Sequence, residues 1–559
     1  MRLSTCSLLL RRSFQPSPAT SRLLARCLPP RFRNYSSHAD PAPPIPRAST
    51  IDTTTAAPPV STKPDTTGIA ATAPPKVESD VADTTNASPA KQPKAEAEAE
   101  LPPDHRTIAT AQQLLTTTHY SPGSPLFLPH GTRIYTKLVD FLRSQYALHG
   151  FQEVLSPNIY KKSLWETSGH WENFKEDMFE VTGRGIGAVK DEGTVEGHEE
   201  EYGLKPMNCP GHCLMFKASG GGRSLRDLPV RYADFSSLHR NENSGSLSGL
   251  TRVRRFHQDD GHIFCRPIQI AQEISATLQF IETTYRVFHL PKPELVLSTR
   301  PENYIGELEE WDRAEAALKK SLEESGQAWT VNEGDGAFYG PKIDIMISDS
   351  DGKKHQTATV QLDFQLPRRF ELEYLAPAPA SEQKGILSED PAELNESGFV
   401  TPVIIHRAVM GSLERFMALL IEHYNGKWPF WLSPRQAIVI PVAMTDEIVA
   451  YAHKTLATIS GVENKDLTQP QSMSKRTFHV DIDTTTSSLS KKIRKAKNMQ
   501  YNHIIVVGER DVKAGTLNVN TAAPAKYVLN KVQQASKTSA DMTAEQLYDH
   551  FIKLEDRYE

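Results

Sequence analysis

The sequence has no long apolar run, few cysteines and no excess of positive charge, and each absence excludes a class of protein. No stretch is long and apolar enough to predict a transmembrane helix. Five cysteines in 559 residues are too few for a disulfide scaffold and favour a reducing compartment. The formal net charge of −5 excludes a generally basic nucleic-acid coat, so any RNA contact must come from local patches.

The N-terminal segments also stand out by what they lack. Residues 1–39 contain no acidic residue, and their arginines are spread among serine and leucine. This composition predicts a mitochondrial transit peptide, and the alternative is a disordered basic arm that binds RNA. Residues 40–104 are rich in Pro, Thr, Ala and Ser, lack aromatic residues and cannot bury a core, so they predict a disordered linker. The length of 559 residues allows two or three domains, and we expect folded sequence to begin near His105.

Arginines cluster in the stretch Tyr232–Cys265, whose pattern predicts a strand, a long mobile loop and a second strand. Guanidinium groups suit a polyphosphate, Phe256 offers a stacking face, and Glu242 can accept a hydrogen bond from an exocyclic amine. These residue types fit ATP. On residue types alone, the alternative is a solvated edge or one that faces nucleic acid. The arginines are Arg240, Arg252, Arg254 and Arg255.

Three stretches, in this order, resemble the motifs of the class II aminoacyl-tRNA synthetases, and the threonine-specific branch in particular. Lys205–Phe216 (KPMNCPGHCLMF) is similar to a segment of that branch, Phe235–Phe264 to motif 2, and His406–Phe416 (HRAVMGSLERF) to motif 3. The resemblance covers roughly residues 106–559. It implies an α+β protein, with an antiparallel-sheet catalytic domain over residues 105–432 and an α/β anticodon-binding domain over residues 433–559.

The resemblance also implies a reaction and the residues that carry it. Threonine would attack the α-phosphorus of ATP, and the adenylate would pass threonine to the 3′ end of tRNA(Thr). The implied catalytic residues are Arg240, Arg415 and His170. The implied ATP-binding residues are Arg240, Glu242, Arg252, Phe256, Lys342, Gln361 and Arg415. The implied threonine-binding residues are Met207, Gln258, Asp260, Tyr339, Gln356 and Ser412. The alternatives are the prolyl enzyme and a catalytically inactive synthetase-like RNA-binding or accessory protein.

Several cysteines and histidines are candidate metal ligands, and their spacing does not choose among Cys209, His212, Cys213, His262, Cys265 and His406. The resemblance chooses Cys209, His262 and His406 as ligands of one Zn²⁺ per subunit, with Mg²⁺ accompanying ATP. Three protein ligands leave zinc an open position for threonine, with Asp260 accepting from the hydroxyl. Valine would then be rejected strongly, whereas serine would compete. Larger members carry an N-terminal editing domain against serine, and none is expected here.

The remaining pattern predicts further elements of the catalytic domain. A helix between Gly131 and Gly150 and a strand before Pro157 resemble motif 1, which implies a homodimer; the alternative is a packed core helix. The predicted strands are Ala337–Ile345 and Gln356–Phe364, and a helix with Arg415 in its first turn is predicted after Ser412. The predicted surface loops are Gly183–Glu201 and Ala376–Ser397.

From about Ser433, short β runs alternate with helical segments, which predicts a small α/β unit. The predicted strands are Ala437–Val442, Thr477–Ile482 and His503–Gly508. Between them lies a basic helical stretch, Ser490–Lys497, whose Lys491, Lys492, Arg494 and Lys495 are expected to contact tRNA phosphates. The alternative for these residues is a solvated helix face. The expected location of the whole protein is the mitochondrial matrix.

Overall fold

The computed structural model describes residues 102–182, 201–219, 223–348, 352–462, 468–522 and 539–559. All of them belong to the unit Ala95–Glu559. The predicted transit peptide and nearly all of the predicted linker lie outside the described residues, as does the predicted loop up to residue 200.

The described residues up to 432 form eleven α-helices. They are α1 (His105–Ala111), α2 (Pro129–Leu148), α3 (Lys162–Ser168), α4 (His170–Phe174), α5 (Cys209–Ala218), α6 (Ile270–Val287), α7 (Leu308–Glu324), α8 (Gln365–Arg369), α9 (Pro379–Gln383), α10 (Pro391–Leu394) and α11 (Leu413–His423). The strands of this part are β1 (Leu115–Thr116), β2 (Leu126–Phe127), β3 (Gln152–Glu153), β4 (Ile159–Lys161), β5 (Glu180–Thr182), β6 (Glu201–Leu204), β7 (Val230–Asp234), β8 (Ser237–His239), β9 (Arg255–Cys265), β10 (Glu294–Ser298), β11 (Trp329–Asn332), β12 (Lys342–Ser348), β13 (Lys354–Asp363), β14 (Tyr374–Pro377), β15 (Ser397–Val400) and β16 (Val403–Ser412).

A nine-stranded sheet organises this part, in the order β11-β10-β12-β13-β16-β9-β7-β3, with β8 pairing β9. The pairs from β10 through β12, β13, β16 and β9 to β7 are antiparallel, as predicted, while β11 and β3 join the two edges in parallel. Apolar side chains of α2, α6 and α11 pack against one face and form the main core. The polar side chains on the other face are therefore available for a site.

The C-terminal part is a second, smaller α/β layer structure. Its strands are β17 (Ala437–Pro441), β18 (Val480–Ile482), β19 (His503–Val507), β20 (Leu517–Thr521) and β21 (Ser539–Met542), and its helices are α12 (Asp446–Ser460), α13 (Leu489–Asn498), α14 (Glu509–Ala514) and α15 (Ala544–Asp556). The sheet order is β18-β17-β19-β20-β21. Alternate residues of β17 join apolar clusters on opposite faces of the sheet, so the strand is apolar throughout.

Several sequence predictions of secondary structure need correction, among them the bracketing of a helix by Gly131, which lies inside α2. Ala376–Ser397 is not a plain loop: β14 and β15 pair through it, and α9 and α10 lie between them. The strand predicted from Ala337 begins only at Lys342, because Ala337 and Gly340 close a tight turn first. The strand predicted from Thr477 begins at Val480. None of the described helices is long and apolar enough to cross a membrane.

Candidate active site

A row of polar side chains crosses three neighbouring strands of the large sheet. Gln361 of β13 lies opposite His406 of β16, and His406 lies opposite His262 of β9. Because side chains alternate along a strand, Asp260 lies on the same face as His262, while Ile263 and Ile405 enter the main core on the other face. Strand register therefore aligns residues that are far apart in sequence.

Three candidate ligands meet above this row. Cys209, at the start of α5, brings its sulfur to His262 and His406, and one donor atom from each of the three lies within 4.8 Å of the others. All three residues are buried. A thiol with two imidazoles is a donor set that zinc commonly takes, and three ligands leave a fourth position open. The set is the one that the resemblance implied.

Hydrogen bonds determine which ring nitrogens remain for a metal. His406 Nε2 is 2.8 Å from Asp363 Oδ2, and His262 Nδ1 is 2.7 Å from His212 Nδ1. The remaining nitrogens are Nδ1 of His406 and Nε2 of His262. Burial lowers the pKa of His262 well below its ordinary value and raises the pKa of Cys209 well above its own. Both groups are therefore neutral without a metal, and binding of a cation would release the thiol proton.

A cavity of about 230 Å³ opens beside this group. Asp260 faces it, and burial raises the pKa of its carboxyl above the ordinary value. Five of the six predicted threonine-binding residues line the cavity, together with Lys342 and Gln361, which were predicted to bind ATP. The five are Met207, Gln258, Asp260, Tyr339 and Gln356.

A second cavity, of about 210 Å³, adjoins the first, since Arg240, Gln258, Gln356 and Thr359 line both. Ser412, predicted to bind threonine, lines this second cavity only. The predicted ATP-binding residues that line it are Arg240, Glu242, Arg252, Phe256 and Arg415. The structure thus brings the predicted threonine-binding and ATP-binding residues together. Three of them line the other cavity from the one expected: Lys342 and Gln361, predicted to bind ATP, line the first cavity, and Ser412 lines the second.

The second cavity concentrates positive charge. Arg240 is stacked 5.1 Å from the Phe256 ring centroid, its Nε has no hydrogen-bond partner among the described residues, and burial lowers its pKa. Arg252 pairs with Glu242 at 2.7 Å. Arg415 donates to the carbonyls of Thr251 and Gln356, each at 3.1 Å, and its pKa is lowered by burial and then by Arg240 and Arg252. A polyanion would relieve this crowding of like charges.

His170, the third predicted catalytic residue, lines neither cavity. Its ring is buried behind Cys209, with Nε2 3.8 Å from the Cys209 sulfur and 3.3 Å from the Met207 sulfur. Nδ1 is 2.8 Å from Ser168 Oγ, and burial lowers the pKa of the ring to about 3. The residue is neutral at physiological pH, and its catalytic role stays a prediction.

Two charged residues that sequence reasoning missed support the site from the core side of the sheet. Asp259 accepts hydrogen bonds from the backbone N–H groups of Val409, Met410 and Gly411. Arg407 is 1% exposed and lies 3.9 Å from Asp259 Oδ2. Together they fix the irregular end of β16 that leads to Arg415. A signal existed in the sequence, because Asp259 occupies a core-facing position of β9, where an apolar residue is expected.

Three of the four basic residues of α13 that were predicted to contact tRNA are exposed to solvent. Lys491, Arg494 and Lys495 are exposed. Lys492 is instead 3% exposed, and its Nζ donates to the Asp483 carbonyl at 3.1 Å. The prediction that Lys492 contacts tRNA is therefore wrong, because that ammonium group faces the domain interior.

Comparison with known proteins agrees with this architecture. Residues 193–388 match the family model "tRNA synthetase class II core domain (G, H, P, S and T)", and residues 436–542 match "Anticodon binding domain". The "Probable threonine--tRNA ligase, mitochondrial" of Schizosaccharomyces pombe is 49% identical over 80% of this chain and 89% of its own length. The "Threonine--tRNA ligase, mitochondrial 1" of Arabidopsis thaliana is 47% identical over 79% of this chain, which spans 55% of that relative.

A solved structure is also similar, the "RNA binding domain of Threonyl-tRNA synthetase" from Cryptosporidium parvum. It is 41% identical, covers 81% of this chain and 98% of its own, and superposes with a TM-score of 0.67. The matched domains, in this order and with this sheet, define an enzyme of the class II aminoacyl-tRNA synthetases. Within that class, the identity to the S. pombe protein over most of its length places the chain in the threonine–tRNA ligase family.

Proposed function

We propose that the protein activates threonine with ATP, supplied as its Mg²⁺ complex, and transfers it to tRNA(Thr) in mitochondria. The observation that carries this proposal is the pair of adjoining cavities, one beside a Cys–His–His group and one lined by three arginines. Their shared wall is where an amino-acid carboxylate and an α-phosphate would meet. Rate would come from holding the reactants together and neutralising charge, and no protein nucleophile is required.

Each arginine has a distinct position for this task. Arg240 lines both cavities, so its guanidinium suits the α-phosphate at the point of attack. Arg252 and Arg415 line only the second cavity and suit the outer phosphates. The ion pair between Arg252 and Glu242 would open when ATP arrives, freeing the carboxylate to accept from the adenine amine.

Selection of threonine would rest on its hydroxyl. Zinc, when bound to Cys209, His262 and His406, supplies a Lewis-acidic position for the amino group and hydroxyl of the substrate. Asp260 would accept from the hydroxyl, and Tyr339, 7% exposed and packed against His406, closes the cavity around it. Valine leaves these polar groups unpaired, whereas serine lacks only a methyl group, worth about 1–3 kcal/mol.

Amino-acid-dependent exchange of pyrophosphate into ATP tests the proposal. We expect strong exchange with threonine, weaker exchange with serine, and none with valine or proline, in protein that contains one zinc per subunit. Cys209→Ala should abolish exchange, whereas the matched control Cys213→Ala, whose buried sulfur lies outside the metal group, should keep it. A folded, zinc-loaded protein that exchanges none of these amino acids would contradict the proposal and favour an accessory RNA-binding protein.

We further propose a homodimer formed through the surface of α2 and β3. Support comes from Leu155, which follows β3 and is 80% exposed, and from Leu148 at the end of α2, which is 79% exposed. Leu155→Asp should shift the mass measured by light scattering toward the monomer. Leu387→Asp, at an apolar side chain of similar exposure in the α9–α10 segment, serves as the control and should not. A wild-type monomer at micromolar concentration would contradict the dimer.

The mitochondrial location is supported by the composition of residues 1–39 and by the names of the S. pombe and A. thaliana relatives. The matrix is the compartment where its tRNA would be found. Import of a fluorescent protein fused behind residues 1–39 tests this, and a fusion in which their arginines are changed to glutamine is the control.

A further inference from the structure

The zinc ligand His262 does not stand alone, because a second histidine contacts it. His212 lies one helical turn after Cys209 on α5, is fully buried, and brings Nδ1 to within 2.7 Å of His262 Nδ1. The two rings meet edge to face, with centroids 4.7 Å apart. At this distance one of the two nitrogens must carry a hydrogen and the other must accept it.

The direction of this hydrogen bond decides whether His262 can bind a metal. When His262 Nδ1 donates, Nε2 of the neutral ring keeps its lone pair for zinc. When His212 Nδ1 donates instead, the hydrogen of neutral His262 must sit on Nε2, and that nitrogen cannot be a ligand. Metal binding at His262 therefore requires His212 to accept.

Asp234 favours that direction. His212 Nε2 has no hydrogen-bond partner among the described residues. The nearest carboxylate oxygen to it is Asp234 Oδ2, at 3.6 Å. A hydrogen on Nε2 is attracted by this oxygen and leaves Nδ1 as the acceptor. Asp234 is itself fixed, since the N–H and hydroxyl of Ser156 donate to Oδ2 and the N–H of Ser236 donates to Oδ1.

We propose that His212, oriented by Asp234, is a positioning residue that holds His262 in its metal-binding tautomer. The inference rests on the proposed zinc site. Helix α5 then has two tasks, because it supplies the ligand Cys209 and also His212, the hydrogen-bond partner of the ligand His262 on β9. His406 has the equivalent partner in Asp363, so each imidazole ligand donates its other N–H to a fixed acceptor.

Replacement of His212 tests the proposal through the metal itself. His212→Phe fills the space but cannot accept a hydrogen bond, whereas the amide oxygen of His212→Asn can stand where Nδ1 stands. We expect the first to weaken Zn²⁺ binding about 10–100-fold and the second to recover most of the loss. Affinity is measured by competition with a chromogenic chelator, and the ligand field by the visible spectrum of the Co²⁺-substituted protein. Cys213→Ala is the matched control, at the next buried residue of α5.

Kinetics distinguish positioning from a general loss of structure. His212→Phe should raise the KM for threonine and leave the KM for ATP unchanged, while circular dichroism shows the same helix content as in the wild type. Equal zinc affinity and identical cobalt spectra in the wild type, His212→Phe and His212→Asn would overturn the inference. Absence of zinc from the wild type would instead overturn the proposed zinc site, so the two failures are distinguishable.

Discussion

The end of β16 requires a residue without a side chain at position 411, which is Gly411. Its φ is +71°, and a Cβ placed there would lie 2.0 Å from the backbone oxygen of Thr357 on β13. Its N–H donates to Asp259, and Ser412 and Arg415 follow it at the second cavity. The close approach of β16 to β13 and the position of Arg415 therefore both depend on Gly411.

Gly411→Ala should be strongly destabilising, because the methyl group meets backbone that cannot move without breaking the sheet. We expect a loss of more than about 3 kcal/mol in the free energy of unfolding, together with a higher KM for ATP. Gly326→Ala is the control: φ is similar at +66°, but apart from its chain neighbours no described residue lies within 4 Å of the added Cβ. That variant should lose only about 1–2 kcal/mol, the cost of the backbone conformation. Equal losses in urea denaturation would contradict the explanation.

Also at the scale of residues, the sequence could locate the candidate metal ligands but could not show which of them meet. Spacing left six candidate metal ligands open, and only the resemblance selected three. The reason is physical: His262 and His406 become neighbours through strand register, and Cys209 reaches them from a helix. No local pattern encodes that meeting. Lys492 was predicted wrongly for the same reason, because its burial depends on contact with Asp483.

At the scale of elements, α11 holds the loop between β8 and β9 from both of its ends. Arg415, in its first turn, donates to the Thr251 carbonyl. Near its last turn, Glu422 Oε1 lies 2.7 Å from His105 Nδ1, and His105 Nε2 accepts from the Leu250 N–H at 3.2 Å. Because Nε2 accepts, Nδ1 carries the hydrogen and donates to Glu422, so neither ring nitrogen remains for a metal. His105 thus fixes the loop that carries Arg252.

His105→Phe should loosen this loop without touching either cavity. The variant loses both ring hydrogen bonds, and the one that holds the loop is the buried bond from the Leu250 N–H. Its loss, about 0.5–1.5 kcal/mol, predicts an increase in the KM for ATP of roughly twofold to tenfold, with the KM for threonine unchanged. His105→Gln, whose amide oxygen can accept from Leu250, should recover part of the loss. Arg106→Ala is the control, since among the described residues that exposed side chain forms an ion pair only with Asp104. Parallel changes in both KM values would refute a specific role.

Helices and strands with a regular pattern of apolar residues could be predicted from the sequence. Elements whose form depends on contacts between residues distant in sequence could not. The stripe of α11 and the apolar runs of β17 and β19 agree with the structure. Gly131 was expected to bracket a helix but lies inside α2, where a Cβ would be 2.0 Å from the Leu114 oxygen. The Ala376–Ser397 segment has a loop-like composition, yet β14 and β15 pair across it, a contact between residues distant in sequence.

At the scale of the whole molecule, buried histidines make stability depend on pH. Burial lowers the pKa of His503 to about 3, and those of His423 and His479 to about 4, from an ordinary value of 6.5. At these three histidines the unfolded chain therefore binds more protons than the folded chain, at pH values below 6.5 and above the folded pKa values. Through that window their contribution lowers the free energy of unfolding as the pH falls.

His503→Phe isolates one of these contributions. The ring lies among Phe430 and Phe551 in the core of the C-terminal domain, so phenylalanine fits the surroundings but does not titrate. Between pH 7.5 and pH 5.5, His503 should remove about 1.4 kcal/mol of stability, and the variant should lose that much less over the same interval. Urea denaturation followed by circular dichroism at the two pH values measures the difference, with His119→Gln, at an exposed histidine, as the control. An unchanged pH dependence in His503→Phe would show that protons enter the protein elsewhere on unfolding, whatever the variant does to stability at pH 7.5.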